Sequence, residues 1–447
     1  MRSILNLAVE SAHLPVGGMY TLSMEEEELL VMEAPVDLAA ADAAAKEAGQ
    51  ALEIGEAFED LAEVMGNGSD EVTPREAELI GVATQMAVAG TEVEPESTIP
   101  VQEVATESAR GSRIAMEAAT DTARRIWNTI LEYLKKIWKY ISDFFYKVVG
   151  NVPVMRRQIE GLKTKAEACR KMELNKEKSD FKIASPAGLA EDGKVVKNAT
   201  ELKAALSTLE GAASFAFTTY APAVVSVGEG LAKIIGEVKP DNTAAKCVEV
   251  KDLLKSKFSA LKVPGASADT RYSGYNCQIG HPLLGGVSLL TKQFSDSVSE
   301  QGHLGSLERW RKAGLELVPT KRTGGEVTGE HKFAAMSPSE MEAVLGNIEK
   351  ILRLVEDFGR GKKFGDLKKA SETLKTASGK AASECDKLQN SEKDDEKLKG
   401  REFKAILSFN TAFASWTKDP AGQLMGHLLR SGKSAIVMVE RSIACYK

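Results

Sequence analysis

SPSEMEAVLGNIEKILRLVEDF, residues 337–358, is the stretch whose reading decides the fold. Ser337 stands where a helix needs its N-cap, Pro338 takes the first helical position and Glu340 the third. A serine hydroxyl and a glutamate carboxylate in that arrangement satisfy backbone N–H groups that a first turn leaves without partners, and proline loses nothing there. The run that follows therefore reads as a well-started helix. Further helices are expected on its C-terminal side at 362–393, 396–417 and 420–445.

On the N-terminal side the character changes. Residues 264–335 are glycine-rich with short apolar pieces such as GGVSLLTKQF and LELVPTKR, which predicts a small β-rich insertion. Before it, helices are expected over 243–261 and from a cap at Asn198 or Thr200 through Ala212 and past Pro222. SDFKIASPAG, residues 179–188, reads as a turn region, and a basic helix is expected over 154–178, after Pro153.

The longest periodic segment runs over 112–150. Ala123, Trp127, Ile130, Leu134, Ile137, Ile141, Phe144 and Val148 alternate steps of four and three, which places them on one helix face, and Leu131, Trp138 and Phe145 widen it. Arg125, Asn128, Glu132, Lys135, Lys139 and Ser142 fall opposite. Such a helix would be about 55 Å long at 1.5 Å per residue. It has two readings. An apolar heptad stripe is first a packing surface; with Arg124, Arg125, Lys135, Lys136, Lys139 and Lys147 elsewhere on the helix, the same aromatic face also suits a membrane surface of anionic headgroups.

Charge divides the chain. Residues 1–107 hold three basic side chains (Arg2, Lys46, Arg75) against 23 acidic ones, a net of −20, so the remainder carries +14 of an overall −6. Acidic helices are expected at 36–65 and 74–89, and the proline-interrupted, β-branched stretch 91–107 reads as an exposed linker. The sequence thus falls into an acidic region 1–107, a pair of long amphipathic and basic helices over 108–180, and a helical body over 181–447. Its fold class is mainly α.

Catalytic and metal chemistry find little support. The five cysteines are scattered without CxxC or Cys/His ligand spacing, which predicts reduced thiols and no zinc site. Neither phosphate-loop, HExxH nor GxSxG motifs occur, no cofactor is implied, and Gly228-Glu229-Gly230 and Gly359-Arg360-Gly361 read as helix ends or turns. Cys277 and His281 are near neighbours, but a nucleophile of this type needs a third, orienting group. The N-terminal apolar run is broken by Asn6 and Glu10, against a secretory signal, and no stretch has the roughly 18 apolar residues of a membrane span.

The +14 favours salt-sensitive, sequence-independent contact with phosphates. Arg124, Arg125, Lys135, Lys136, Arg156, Arg157, Lys163 and Lys165 are the candidate contacts, with Arg170-Lys171, Lys362-Lys363 and Lys368-Lys369 as further clusters.

Ala105-Thr106-Glu107 followed by Ser108 is a small residue, any residue, glutamate, then a small residue, set in the linker where the charge changes sign. The same triplet ends at Glu10, Glu25, Glu53, Glu59, Glu71 and Glu117, but only Glu107 coincides with both linker and charge break. This layout resembles the internal head proteins of phiKZ-like jumbo tailed bacteriophages. The resemblance implies an acidic propeptide removed by the prohead protease between Glu107 and Ser108. It also implies a noncatalytic mature body inside the capsid beside other capsid-internal proteins and genomic DNA, assembled in the host cytoplasm, with ejection into the host as a further step. The alternative is a membrane-active protein whose acidic region restrains the Trp127 helix. The sequence leaves the oligomeric state open.

Overall fold

The computed structural model describes residues 149–150, 152–183, 186–294, 302–320, 327, 331–389, 393–418 and 422–447. The acidic region, the linker with Ala105, Thr106, Glu107 and Ser108, the cations Arg124, Arg125, Lys135 and Lys136, and the face formed by Trp127, Ile130, Leu134, Ile137, Trp138, Ile141, Phe144 and Phe145 lie outside the described residues.

Helix α1 (residues 152–168) gives way to a short 3-10 turn, Cys169–Lys171. The basic helix expected to reach 178 therefore stops earlier. Met172 is extended, and Leu174 bridges to Tyr446 near the C-terminus, so the chain there trades intrahelical bonds for a tie to the far end of the sequence. Strand β1 (Asp180–Lys182) follows, then a hairpin of β2 (Ala190–Glu191) and β3 (Lys194–Val195). Asp192 and Gly193 turn that hairpin with φ of 47° and 79°, the left-handed pair that a tight two-residue connection requires and that an Asp-Gly dipeptide tolerates.

Helix α2 (Ala199–Ser214) starts at Asn198, whose side chain accepts from the Glu201 N–H at 2.9 Å, settling the choice of cap. It runs through a π-helical stretch, Phe215–Tyr220, into α3 (Ala221–Glu237). Pro222 explains the widening: it has no N–H to donate back to residue 218 and its ring crowds that carbonyl, so the preceding turn expands rather than breaks. Gly228 and Gly230 lie inside α3, not at a helix end as expected. A Cβ on Gly228 would stand 2.4 Å from the Phe413 ring and one on Gly230 2.6 Å from Leu253, so both are points of close helix approach. Gly361 does end a helix, as the C-cap of α6 described below.

Helix α4 (Thr243–Phe258) leads into the expected insertion. There β4 (Ser267–Asp269), β5 (Tyr275–Ile279), β6 (Val287–Phe294) and β7 (Gly314–Pro319) form one antiparallel sheet in sequential order, with α5 (Gly302–Arg311) between β6 and β7. One face of the sheet joins the helical core through Leu289 and Leu315, while Cys277, Leu290 and Val318 form a separate small cluster on the other. Gln293 Nε2 donates to the carbonyls of Phe258 (2.7 Å) and Leu261 (3.0 Å), fastening the sheet to the end of α4. The last strand, β8 (Lys332–Ala334), leaves this sheet and pairs antiparallel with β1.

The stretch 337–358 is helix α6 (Pro338–Arg360), with both halves of the capping box formed between Ser337 and Glu340. It is followed by α7 (Lys362–Gln389), α8 (Asp394–Leu407), α9 (Phe409–Lys418) and α10 (Leu424–Ile443). The single helix expected over 396–417 is thus two, separated at Ser408. The buried apolar residues of α1, α2, α3, α4, α6, α7, α8, α9 and α10 belong to one continuous core. The fold is mainly α with small sheets, as expected.

Candidate nucleic-acid interface

Helix α1 carries the described members of the expected phosphate-binding set. Val152, Ile159, Leu162 and Ala166 are buried in a stripe along one side of it, continued by Cys169. That stripe packs where α6 and α10 meet: Ile348 of α6 and Met155 of α1 both lie at van der Waals range of a Cβ built on Gly432 of α10. Burying this many aliphatic side chains, each contributing about 1.5–3 kcal/mol, is what holds α1 down.

The flank of the stripe is electrostatic. Arg156 Nη2 lies 2.7 Å from Glu356 Oε2, Lys163 Nζ 2.6 Å from Glu349 Oε1, and Arg170 Nη2 2.8 Å from Glu342 Oε2. The cations step by seven along one segment and the carboxylates step by seven back along α6, so the three pairs form an antiparallel ladder. On the other flank Gln158 Nε2 donates to Glu440 Oε1 of α10 at 3.0 Å. The cations of the ladder are 37–53 % exposed, so each pair contributes at most about 1 kcal/mol. The ladder therefore sets the register of α1 rather than the strength of its docking.

Of the expected contacts, Arg156 and Lys163 thus face carboxylates of α6. Arg157 and Lys165 are exposed, but Glu160 and Glu167 are exposed on the same helix. The heptad spacing of both charge sets was present in the sequence. What sequence reasoning missed was their pairing, because nothing local says that residues near 160 meet residues near 350.

The Cys277 and His281 pair does not assemble as a nucleophile. Cys277 is buried in β5, and burial pushes its thiol up, opposite to the shift that a reactive thiolate needs. His281 is an exposed residue folded over Gly265. The cavity it borders, with Thr208, Ala212, Val263, Pro264 and Gly280, measures about 10 Å³, room for one water and no substrate. All five cysteines are buried. Among the described residues no group of three or more His, Cys, Asp or Glu side chains is placed to hold a metal ion, and no helix is long and apolar enough to cross a membrane.

Two buried polar groups also escaped the sequence reading. Glu402 of α8 accepts from the Thr243 hydroxyl at 2.5 Å, at the start of α4. His427 of α10 sits against the turn at Gly285, hydrogen-bonded to the backbone of Leu284, with no partner at Nε2 among the described residues.

A family model described as phiKZ-like phage internal head proteins matches residues 24–441. The match spans both the acidic region and the body. No curated protein and no solved structure matches the chain significantly.

Proposed function

The chain belongs to the phiKZ-like phage internal head proteins, and from that premise we propose that it is made as a precursor, cut by the prohead protease between Glu107 and Ser108, and packed with the genome. A structural role inside the capsid follows from the family itself. The observation that carries the finer reading is the coincidence at one linker of the Ala105-Thr106-Glu107 triplet and the change from −20 to +14.

The physical logic is one of charge. An acidic region neutralises a basic body during assembly, and its loss leaves a cationic body able to lie against phosphates through contacts that weaken with salt. The protein acts without catalysis in this reading, in keeping with the structural role of its family. Partners on this reading are the protease, neighbouring capsid-internal proteins and the DNA backbone. Ejection into the host with the genome is the last step proposed.

Mass spectrometry of the chain recovered from purified particles tests the processing directly. The expected N-terminal peptide begins at Ser108; an intact Met1 in mature particles overturns the cut.

A further inference from the structure

We infer that the fold of the body, and not the triplet alone, selects where the maturation protease cuts. The inference rests on the processing reading above and concerns how that cut is confined. A small residue (Ala, Ser or Gly) two places before a glutamate recurs six times in the described elements: Ala199-Thr200-Glu201, Ser306-Leu307-Glu308, Gly314-Leu315-Glu316, Ala370-Ser371-Glu372, Ala382-Ser383-Glu384 and Gly400-Arg401-Glu402. The first lies in α2, the next two in α5 and β7, two in α7 and the last in α8. The triplet Gly324-Gly325-Glu326 lies outside the described residues, as do Glu107 and the triplets before it.

Hydrolysis at any of these glutamates breaks one peptide bond, with water giving its hydroxyl to the glutamyl carbonyl carbon and its remaining hydrogen to the departing nitrogen. A bond held inside a helix or a paired strand reaches a protease only from a locally opened state. Opening at the six sites also uncovers core. Ala199 and Leu202 are buried at the first, Leu307 at the second, Leu315 at the third, Ala370 at the fourth, Cys385 at the fifth, and Gly400 and Phe403 at the last.

Three of the glutamates are engaged through the carboxylate that a glutamate-reading protease must recognise. Glu201 accepts from the Lys197 N–H at 2.7 Å. Glu316 accepts from Lys292 Nζ at 2.6 Å and from the Tyr272 hydroxyl at 2.9 Å, and buried Glu402 accepts from the Thr243 hydroxyl at 2.5 Å. Glu308, Glu372 and Glu384 are exposed, but their backbone is helical, so an accessible side chain does not present an accessible bond. A folded body therefore keeps all six bonds closed. An unfolded one offers them to the same protease, which makes maturation a check on folding.

The test incubates the full chain with active prohead protease and maps new N-termini by mass spectrometry. Wild type is compared with an I348D/V355D variant, which sets two carboxylates at buried positions of α6, and circular dichroism checks that the fold is lost. Heating the wild-type chain before the protease is added gives unfolded chain by a second route. Folded wild type is expected to yield Ser108 as a new N-terminus and none of Leu202, Arg309, Leu317, Thr373, Cys385 and Phe403. In the unfolded chain those six termini are expected to form at least about a hundredfold faster, with the rate at Glu107 changed by no more than about twofold. Cutting of the folded chain at any of the six as fast as at Glu107 overturns the inference while the processing reading stands. So does an unfolded chain that is cut at Glu107 and spared at the six, since local sequence then makes the choice. Failure to cut either chain at Glu107 overturns the processing reading itself, and this inference with it.

Discussion

His427 shows how one side chain couples the fold to pH. Burial holds its imidazole neutral, pulling the pKa down from 6.5 to about 4, with Arg430 adding to the effect and the hydrogen bond to Leu284 opposing it. The folded value lies below the unfolded one, so the unfolded chain takes up a proton first as pH falls. The contribution of the neutral imidazole is complete above pH 6.5, is lost progressively between 6.5 and about 4, and changes no further below that, for a total of about 3 kcal/mol. Urea denaturation of the wild-type chain across that range should show this loss, and His427→Gln should flatten it. Glycines give a second test at this scale. Gly228→Ala forces a methyl into the Phe413 ring and should cost about 1–3 kcal/mol, whereas Gly346→Ala meets nothing within 4 Å and should gain about 0.5–1 kcal/mol. Both glycines lie inside helices, although the sequence had Gly228 as part of a helix end or turn. Only the position of Phe413, far along the chain, separates them.

At the scale of elements, the ladder between α1 and α6 makes a specific claim about coupling. Lys163→Glu places two carboxylates side by side and should destabilise, and Glu349→Lys added to it should restore most of the loss. The coupling energy of that double-mutant cycle should be about 0.5–1 kcal/mol and should shrink as salt is raised, since the pairs are partly exposed. A cycle with no coupling at low salt would remove the ladder from the account of register. Elements whose boundaries are written locally were legible: the Ser337-Pro338-Ser339-Glu340 start of α6 and the Asn198 cap of α2 are both formed. The hairpin at Asp192-Gly193 was equally local and was overlooked between longer helical patterns, although Asp-Gly is a strong turn signal. The break at Ser408 and the early end of α1 were not legible. The early end of α1 goes with a pairing to a distant segment, Leu174 with Tyr446, that local propensity does not report.

At the scale of the molecule, the boundary drawn at 180/181 falls within β1, whose partner β8 lies some 150 residues later. Residues 152–169 supply part of the same core as α6 and α10. A fragment beginning at 181 would uncover the α6 and α10 surface that Ile159 and Leu162 bury, and should unfold less cooperatively and at lower urea than one beginning at 148. Equal midpoints would show that α1 is dispensable to the body. The sheet of β4 to β7 is likewise built into the molecule through Leu289, Leu315 and the Gln293 hydrogen bonds, so it acts as a wall of the core.

The amino-acid sequence by itself determined the helical class, the starts of α2 and α6, the β-rich stretch and the opposed charges on either side of Glu107. Capping, periodicity and net charge depend on neighbours within a few residues, or on composition alone. Tertiary structure decided which cations of α1 meet carboxylates, which glycines stand at close helix contacts and which histidine is held neutral. Lys163 and Glu349 are 186 residues apart, and whether a lysine faces solvent or a carboxylate depends on which helices the core brings together.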